Sequence, residues 1–249
     1  MKTPLTTSIC SALCVTALPA FAASISWTRS PAVLTTEINN TGTSRFAYAF
    51  SSLPGTAVLN GVPFVYVNNE GLLMPAANAL SPGFSRFADT ATSHTETGGD
   101  FYQGPNLELA QILDGLTWGG NTQFQLTGLT PGTPYIVQLF SSDDRATQAA
   151  RVLDLDSSWA EPNGSREVED VDYTAGGTWT DPAGRSKIFT GTFTADGTSQ
   201  QILAEINGTG GQIDLNAIQL RIVPEPGVAS LLFGAVAALG LRRRRKRDD

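Results

Sequence analysis

Turn-forming residues interrupt the chain between Ser24 and Ile222 so often that its apolar stretches read as short strands rather than long helices. Arg45-Phe46-Ala47-Tyr48-Ala49-Phe50 alternates, putting Phe46, Tyr48 and Phe50 on one face of a strand. Ala57-Val58-Leu59 and Phe64-Val65-Tyr66-Val67 flank Asn60-Gly61, a hairpin signal because both central residues tolerate positive φ. Gln123 to Thr127 places Phe124 and Leu126 together, and Ile136 to Phe140 is a nearly continuous apolar run suited to a buried strand. Arg151 to Leu155, Lys187 to Thr194, Gln201 to Ile206 and Leu215 to Ile222 complete the set. Pro105 to Leu113 is the one segment with helical spacing: Leu109, Ile112 and Leu113 share a face, with Leu116 one turn on.

Strands at this spacing predict an all-β fold, an antiparallel β-sandwich of jelly-roll type with one short helix. No period of about 20 to 50 residues recurs, which excludes solenoids and propellers. The 249 residues divide into an N-terminal segment (1–22), a body (23–222) and a C-terminal tail (223–249). The body is long enough for one domain with a sizeable core. With 41% hydrophobic and 16% charged residues the chain belongs with folded rather than disordered proteins.

Charge is distributed unevenly. From Ala23 to Pro226 there are 9 basic against 21 acidic residues, a net charge of −12, whereas six basic residues crowd into Arg242 to Arg247. An acidic body repels nucleic acid, so no nucleic-acid partner is expected. The cysteines, Cys10 and Cys14, both lie in the N-terminal segment. Ser11-Ala12-Leu13 before Cys14 is a poor lipoprotein cleavage box. Loss of that segment would leave no disulfide and no thiol nucleophile.

Lys2, the mostly apolar stretch Leu5 to Leu18 and the sequence Ala20-Phe21-Ala22 have the order of a secretory signal peptide, with Ala23 as the mature N-terminus. Export by the Sec machinery is the expectation. At the other end Val223-Pro224-Glu225-Pro226-Gly227 precedes an apolar run from Val228 to Leu241 and then Arg242-Arg243-Arg244-Arg245-Lys246-Arg247. The prolines keep the backbone extended. The run is short for a spanning helix, but flanking arginines can snorkel, and the basic cluster favours the cytoplasmic side of an inner membrane. These last 26 residues resemble the PEP-CTERM sorting domain, also termed an ice-binding-protein C-terminal domain. The resemblance implies a secreted protein of a Gram-negative bacterium that makes extracellular polysaccharide. Its tail would be handled by an exosortase that recognises Pro224, Glu225 and Pro226, with Arg242, Arg243 and Arg244 in the basic cluster. The ice-related term describes the tail and says nothing of the body.

Within the body, Asn60-Gly61-Val62-Pro63-Phe64, Leu126-Thr127-Gly128-Leu129-Thr130-Pro131-Gly132-Thr133-Pro134-Tyr135, Gly191-Thr192-Phe193-Thr194-Ala195-Asp196 and Leu215-Asn216-Ala217-Ile218-Gln219-Leu220 are phrases similar to those of secreted proteins with this tail. They also resemble malectin-like and galactose-binding-like sandwiches, which implies the fold class more than a ligand.

Candidate site residues fall into three groups. Asp143-Asp144-Arg145 follows the apolar Ile136 strand; it reads as a salt-bridged turn, or as a rim where Asp144 and Arg145 bond sugar hydroxyls. Asp154 and Asp156, followed by Glu167, Glu169, Asp170 and Asp172, form a second acidic stretch. Carboxylates at i and i+2 can share one Ca²⁺, but alternate carboxylates on a strand more often form a solvated face. Trp118 in Thr117-Trp118-Gly119-Gly120 and Trp179 in Gly177-Thr178-Trp179-Thr180 are flanked by turn residues, which suits stacking platforms for sugar rings; burial in the core is the alternative for them, as for Trp27 and Trp159.

Catalytic signals are sparse. His94, the one histidine, sits in polar Thr92-Ser93-His94-Thr95-Glu96-Thr97 and reads as a solvated loop residue. No G-x-S-x-G elbow, HExxH, Walker A loop or dinucleotide fingerprint occurs. Paired carboxylates can cleave glycosides, but an acidic surface offers such pairs by chance. The sequence therefore predicts a non-catalytic envelope or matrix protein associated with extracellular polysaccharide, with no resident cofactor beyond that Ca²⁺. A structural or adhesive matrix protein and a glycoside-active enzyme are the alternatives.

Overall fold

A computed structural model describes residues 23–32, 34–51, 54–67, 84–88, 94–97, 104–119, 122–143, 152–157, 168–169, 186–207 and 213–224, together with Tyr102. The expected signal segment (1–22), the tail from 225 on, Asp144, Arg145, Trp159, Trp179, Glu167, Asp170 and Asp172 lie outside these residues. In chain order the strands are β1 (Ser26–Pro31), β2 (Thr43–Phe50), β3 (Thr56–Leu59), β4 (Val62–Val67), β5 (Phe84–Ala88), β6 (His94–Thr97), β7 (Gly115–Gly119), β8 (Thr122–Thr127), β9 (Pro134–Ser142), β10 (Val152–Asp156), β11 (Val168–Glu169), β12 (Ser186–Thr194), β13 (Ser199–Asn207), β14 (Ile213–Leu215) and β15 (Ala217–Ile222). One helix, α1 (Leu107–Leu113), lies between β6 and β7. Among the described residues no helix is long and apolar enough to cross a membrane.

The fold is an all-β sandwich. A seven-stranded sheet, β1-β12-β9-β15-β2-β4-β3, faces a five-stranded sheet, β11-β10-β13-β8-β5, and a three-stranded sheet, β14-β7-β6, stands beside them. Pairing is antiparallel except between β2 and β4, which run parallel. The parallel pair arises because β3 inserts as a hairpin partner of β4. Asn60 (φ 47°) and Gly61 (φ 75°) make its turn, as their tolerance of the left-handed region predicts.

Alternation along each strand builds the main core between the two large sheets. Phe46, Tyr48 and Phe50 of β2 meet Phe124 and Leu126 of β8 and Ile202 of β13, with Tyr135, Val137 and Leu139 of β9 at the centre. Each large side chain so buried contributes about 1.5–3 kcal/mol. Burial raises the Tyr48 phenol above its ordinary pKa.

The seven-stranded sheet is covered on its second face as well. Leu109, Ile112 and Leu113 of α1 pack with Ala47, Phe64, Phe140 and Ile188 in a second apolar cluster. This double burial is why β9 reads as a nearly continuous apolar run, broken by Gln138. The helix itself is capped by the Asn106 side chain, which accepts from the Glu108 N–H. It ends at Leu113, so Leu116 is buried from β7 rather than from a further helical turn.

A polar row crosses that second face: Thr190, Gln138 and Gln219 stand in register on β12, β9 and β15. Gln138 accepts from the Asn39 N–H and donates to the Glu37 carbonyl and the Thr190 hydroxyl, and Gln219 donates to the Asn39 carbonyl. Arg221 continues the clamp, donating to the carbonyls of Asn40, Thr41 and Gly42. Burial lowers its guanidinium pKa from the ordinary value. The segment between β1 and β2 has no sheet partner, so these side chains supply the partners its backbone needs.

Gly191 of β12 is the point where β1 seats on the sheet. A Cβ there would lie 2.6 Å from the Ile25 side chain and 2.8 Å from the Trp27 ring. Gly191→Ala is therefore expected to cost about 1–3 kcal/mol through overpacking. The measurement is the urea midpoint of the protein, and a midpoint equal to the parent's would show that β1 is not held in this way.

Candidate functional site

The strand directions give the sandwich two poles. At one pole β9 begins beside the end of β12 (Pro134 with Thr194) and the end of β15 (Tyr135 with Ile222). At the other, β9 ends beside the start of β12 (Ser142 with Ser186), and the turn between β14 and β15 abuts it.

This second pole is polar and buried. Ser141, Ser142, Asp143, Lys187, Asp214 and Asn216 are each at most 2% exposed. Asn216 breaks the run between β14 and β15, and every polar group it has is used. Its N–H donates to the Phe140 carbonyl and its carbonyl accepts from the Phe50 N–H, both at 2.8 Å. Its side-chain oxygen accepts from the Ser142 N–H at 2.6 Å. Its side-chain nitrogen donates to the Leu113 and Gly115 carbonyls at 2.7 and 3.0 Å. One residue thus joins the ends of β2, β9 and α1 to the start of β7. The Ser141 hydroxyl donates to the Asp214 carbonyl at 2.7 Å, so it is directed at a backbone acceptor rather than at a base.

Lys187 pairs in register with Ser141, and Asp143 follows two residues on. An ammonium fully out of water is tolerable only with partners, and both Lys187 and Asp143 have them. The sequence reading missed Lys187, Asp214 and Asn216. Lys187 at the edge of an apolar run looks like a solvated strand end, and Asn216 in Leu215-Asn216-Ala217 looks like a turn residue.

Trp118 lies within β7, in register with His94 of β6 on one side and Asp214 of β14 on the other. Its backbone thus belongs to a three-stranded sheet. His94 likewise opens a strand and is not a loop residue. Pairing over long sequence distances overrode the local polar composition in both cases. The sheet thereby brings the Trp118 backbone beside Asp214, whose carbonyl accepts from Ser141 at the end of β9.

Asp154 and Asp156 do not form a solvated face. They are 0% and 3% exposed, although Leu155 between them points into the main core. In register, Asp154 stands between Glu169 of β11 and Glu205 of β13. Both aspartates are engaged with neighbours. Among the described residues no group of three or more His, Cys, Asp or Glu is arranged to hold a metal ion.

Two shallow depressions lie elsewhere. One, of about 550 Å³, is lined by Leu34, Pro105, Asn106, Leu107 and Glu108. The other, of about 340 Å³, lies at the first pole beside the stacked Tyr135 and Phe193 rings and Val223. Neither is lined by Trp118 or Asp143; the polar pole is distinguished by its chemistry.

Removing the Asn216 side chain strands three buried backbone groups, each worth about 1–3 kcal/mol. Asn216→Ala is expected to lower the unfolding free energy by roughly 3–6 kcal/mol in urea titrations. A loss below about 1 kcal/mol would show that these groups find water instead.

No protein-family model matches the chain, and no curated protein sequence matches it. Among solved structures it is similar to one described as "Structural basis for the promiscuous specificity of the carbohydrate-binding modules from the beta-sandwich super family", at 12% identity over 76% of this chain and 99% of that chain, with a TM-score of 0.16. A superposition that loose transfers neither fold nor ligand.

Proposed function

We propose that this chain is an exported, non-catalytic β-sandwich that is delivered to the cell envelope and binds neutral extracellular polysaccharide at its polar pole. The observation that supports the reading is the register that sets Trp118 beside Asp214, at the pole where β9 ends. An aromatic face is what a sugar ring stacks on. The body's net charge of −11 (9 basic against 20 acidic residues in 23–222) disfavours polyanionic chains and leaves neutral ones as the better fit.

Delivery follows from the two ends. The signal segment takes the chain through the Sec machinery, and the apolar tail with Arg242, Arg243 and Arg244 holds it at the inner membrane until an exosortase-type enzyme acts at Pro224, Glu225 and Pro226. Ala23, the expected mature N-terminus, packs against the main core, so a chain starting there keeps its fold.

Protein recovered from the envelope is expected to begin at Ala23 on N-terminal sequencing; an intact, unprocessed chain in the cytosol would overturn the delivery. On a glycan array the parent should bind neutral polysaccharides, and Trp118→Ala or Trp179→Ala should weaken this about tenfold, or ~1.4 kcal/mol. Parent-like binding by both variants would remove the platform, and no binding to any glycan would favour a structural matrix role. Release of reducing sugar would instead mark a glycoside-active enzyme.

Ca²⁺ at Asp154 and Asp156 is a second proposal, favoured by their burial and by Glu169 and Glu205 in register. Bound at a hundredfold excess over its Kd, the ion would add about 2.7 kcal/mol of stability. Calorimetric titration with CaCl₂ showing no heat, together with an unchanged melting curve, would remove it.

A further inference from the structure

We infer that β3, one edge of the seven-stranded sheet, pairs with β3 of a second copy of this chain, so that two sandwiches join through one continuous sheet into a two-fold dimer. The inference stands apart from the export and polysaccharide readings above.

The sheet has two edges, and they are built differently. β1 carries the exposed Arg29 and ends at Pro31, and charge and proline are guards against edge pairing. β3 has neither. No charged residue occurs between Arg45 and Glu70, so the β3–β4 hairpin is neutral in a body whose net charge is −11. Two acidic copies repel least where each presents no charge.

The edge is also fixed in place before any partner arrives. Ala57, Leu59, Val62 and Phe64 are buried in the second apolar cluster. The Asn60 side chain donates to the Ile38 carbonyl at 2.8 Å, and the Asn60 carbonyl accepts from the Asn40 side chain at 3.2 Å. Pairing therefore orders little that is not already ordered. The other face of the hairpin presents Thr56, Val58, Pro63 and Val65, all exposed, with Val58 at 66% and Val65 at 46%.

The backbone decides the partner. The Tyr66 N–H donates to the Gly55 carbonyl. Alternation along the antiparallel ladder then turns the N–H and C=O groups of Ala57 and Leu59 toward β4 and those of Thr56 and Val58 away from it. Among the described residues no strand lies on that outer side. A two-fold axis at Ala57 sets Thr56 of each copy opposite Val58 of the other, and each such pair exchanges two hydrogen bonds. The edge is its own complement, as a closed two-fold interface requires. The exposed side chains agree with this register. Val65 stands across from Thr56 and Pro63 across from Val58. Each row across the dimer would run Val65, Thr56, then Val58 and Pro63 of the other copy, without a charge and with a β-branched pair at its centre.

The test is sedimentation equilibrium of the full chain in a density-matched nonionic detergent, over a concentration series. The parent is expected to dimerise reversibly. Val58→Lys and Thr56→Glu should each weaken the dimer about tenfold or more, because charges are then brought to a dry, neutral edge. An equimolar mixture of the two variants should regain the dimer, since the new ammonium faces the new carboxylate across the axis. Both positions are exposed, so the circular dichroism spectrum and melting midpoint of each variant should equal the parent's. A monomeric parent, a dimer that a folded Val58→Lys or Thr56→Glu variant leaves unchanged, or a mixture that stays monomeric would overturn the inference.

Discussion

The junction between β14 and β15 depends on one buried amide. Asn216 interrupts the strand run at the place where β2, β9, α1 and β7 come together, and it supplies hydrogen bonds to all four. Four strand or helix ends meeting out of water would otherwise leave carbonyls and N–H groups stranded, at a cost comparable to a lost hydrogen bond each. An apolar residue could fill the volume but not the valences. The helix that covers the second face of the large sheet is positioned through the same residue, because its Leu113 carbonyl is one of the acceptors.

The seven-stranded sheet is thus a central layer with apolar contacts on both faces, and the polar row Thr190–Gln138–Gln219 is the exception that organises its outer side. In a layer this dry a carboxamide is tolerable when it is bonded, and here the bonds run to the backbone of the segment between β1 and β2. That segment makes no strand of its own. Side chains of the sheet hold it where backbone ladders would elsewhere.

The two poles divide the work. The pole at which β9 begins and β15 ends is closed by ordinary turns and the stacked Tyr135–Phe193 pair. The other concentrates buried charge and hydroxyl groups, with Lys187, Asp143 and Asp214 at or below 2% exposure. Buried ionic groups of this kind add little net stability against apolar replacements, but they are costly to leave half-paired, so they favour one arrangement of the surrounding loops. A fixed arrangement of loop roots is what a recognition surface on a sandwich needs.

Local patterns were readable wherever local chemistry decides. The alternation Phe46-Tyr48-Phe50, the Asn60-Gly61 turn, the apolar run of β9 and the Leu109-Ile112-Leu113 face of α1 all stand where the sequence places them, because period and turn preference act over a few residues. Burial of polar residues was not readable. Asp154 and Asp156 have the spacing of a solvated face yet lie buried, and His94 and Trp118 have the flanks of loop residues yet pair across a sheet. The partners of Asn216 and Lys187 come from about 45 to 165 residues away, a distance over which composition carries no information on contact. The chain's local patterns alone decided the fold class, the strands with clear apolar alternation or runs, and the acidic balance of the body. Only the tertiary structure decided which polar residues leave water and which pole they share, since desolvation is settled by distant strands closing over a residue and not by its neighbours in the chain.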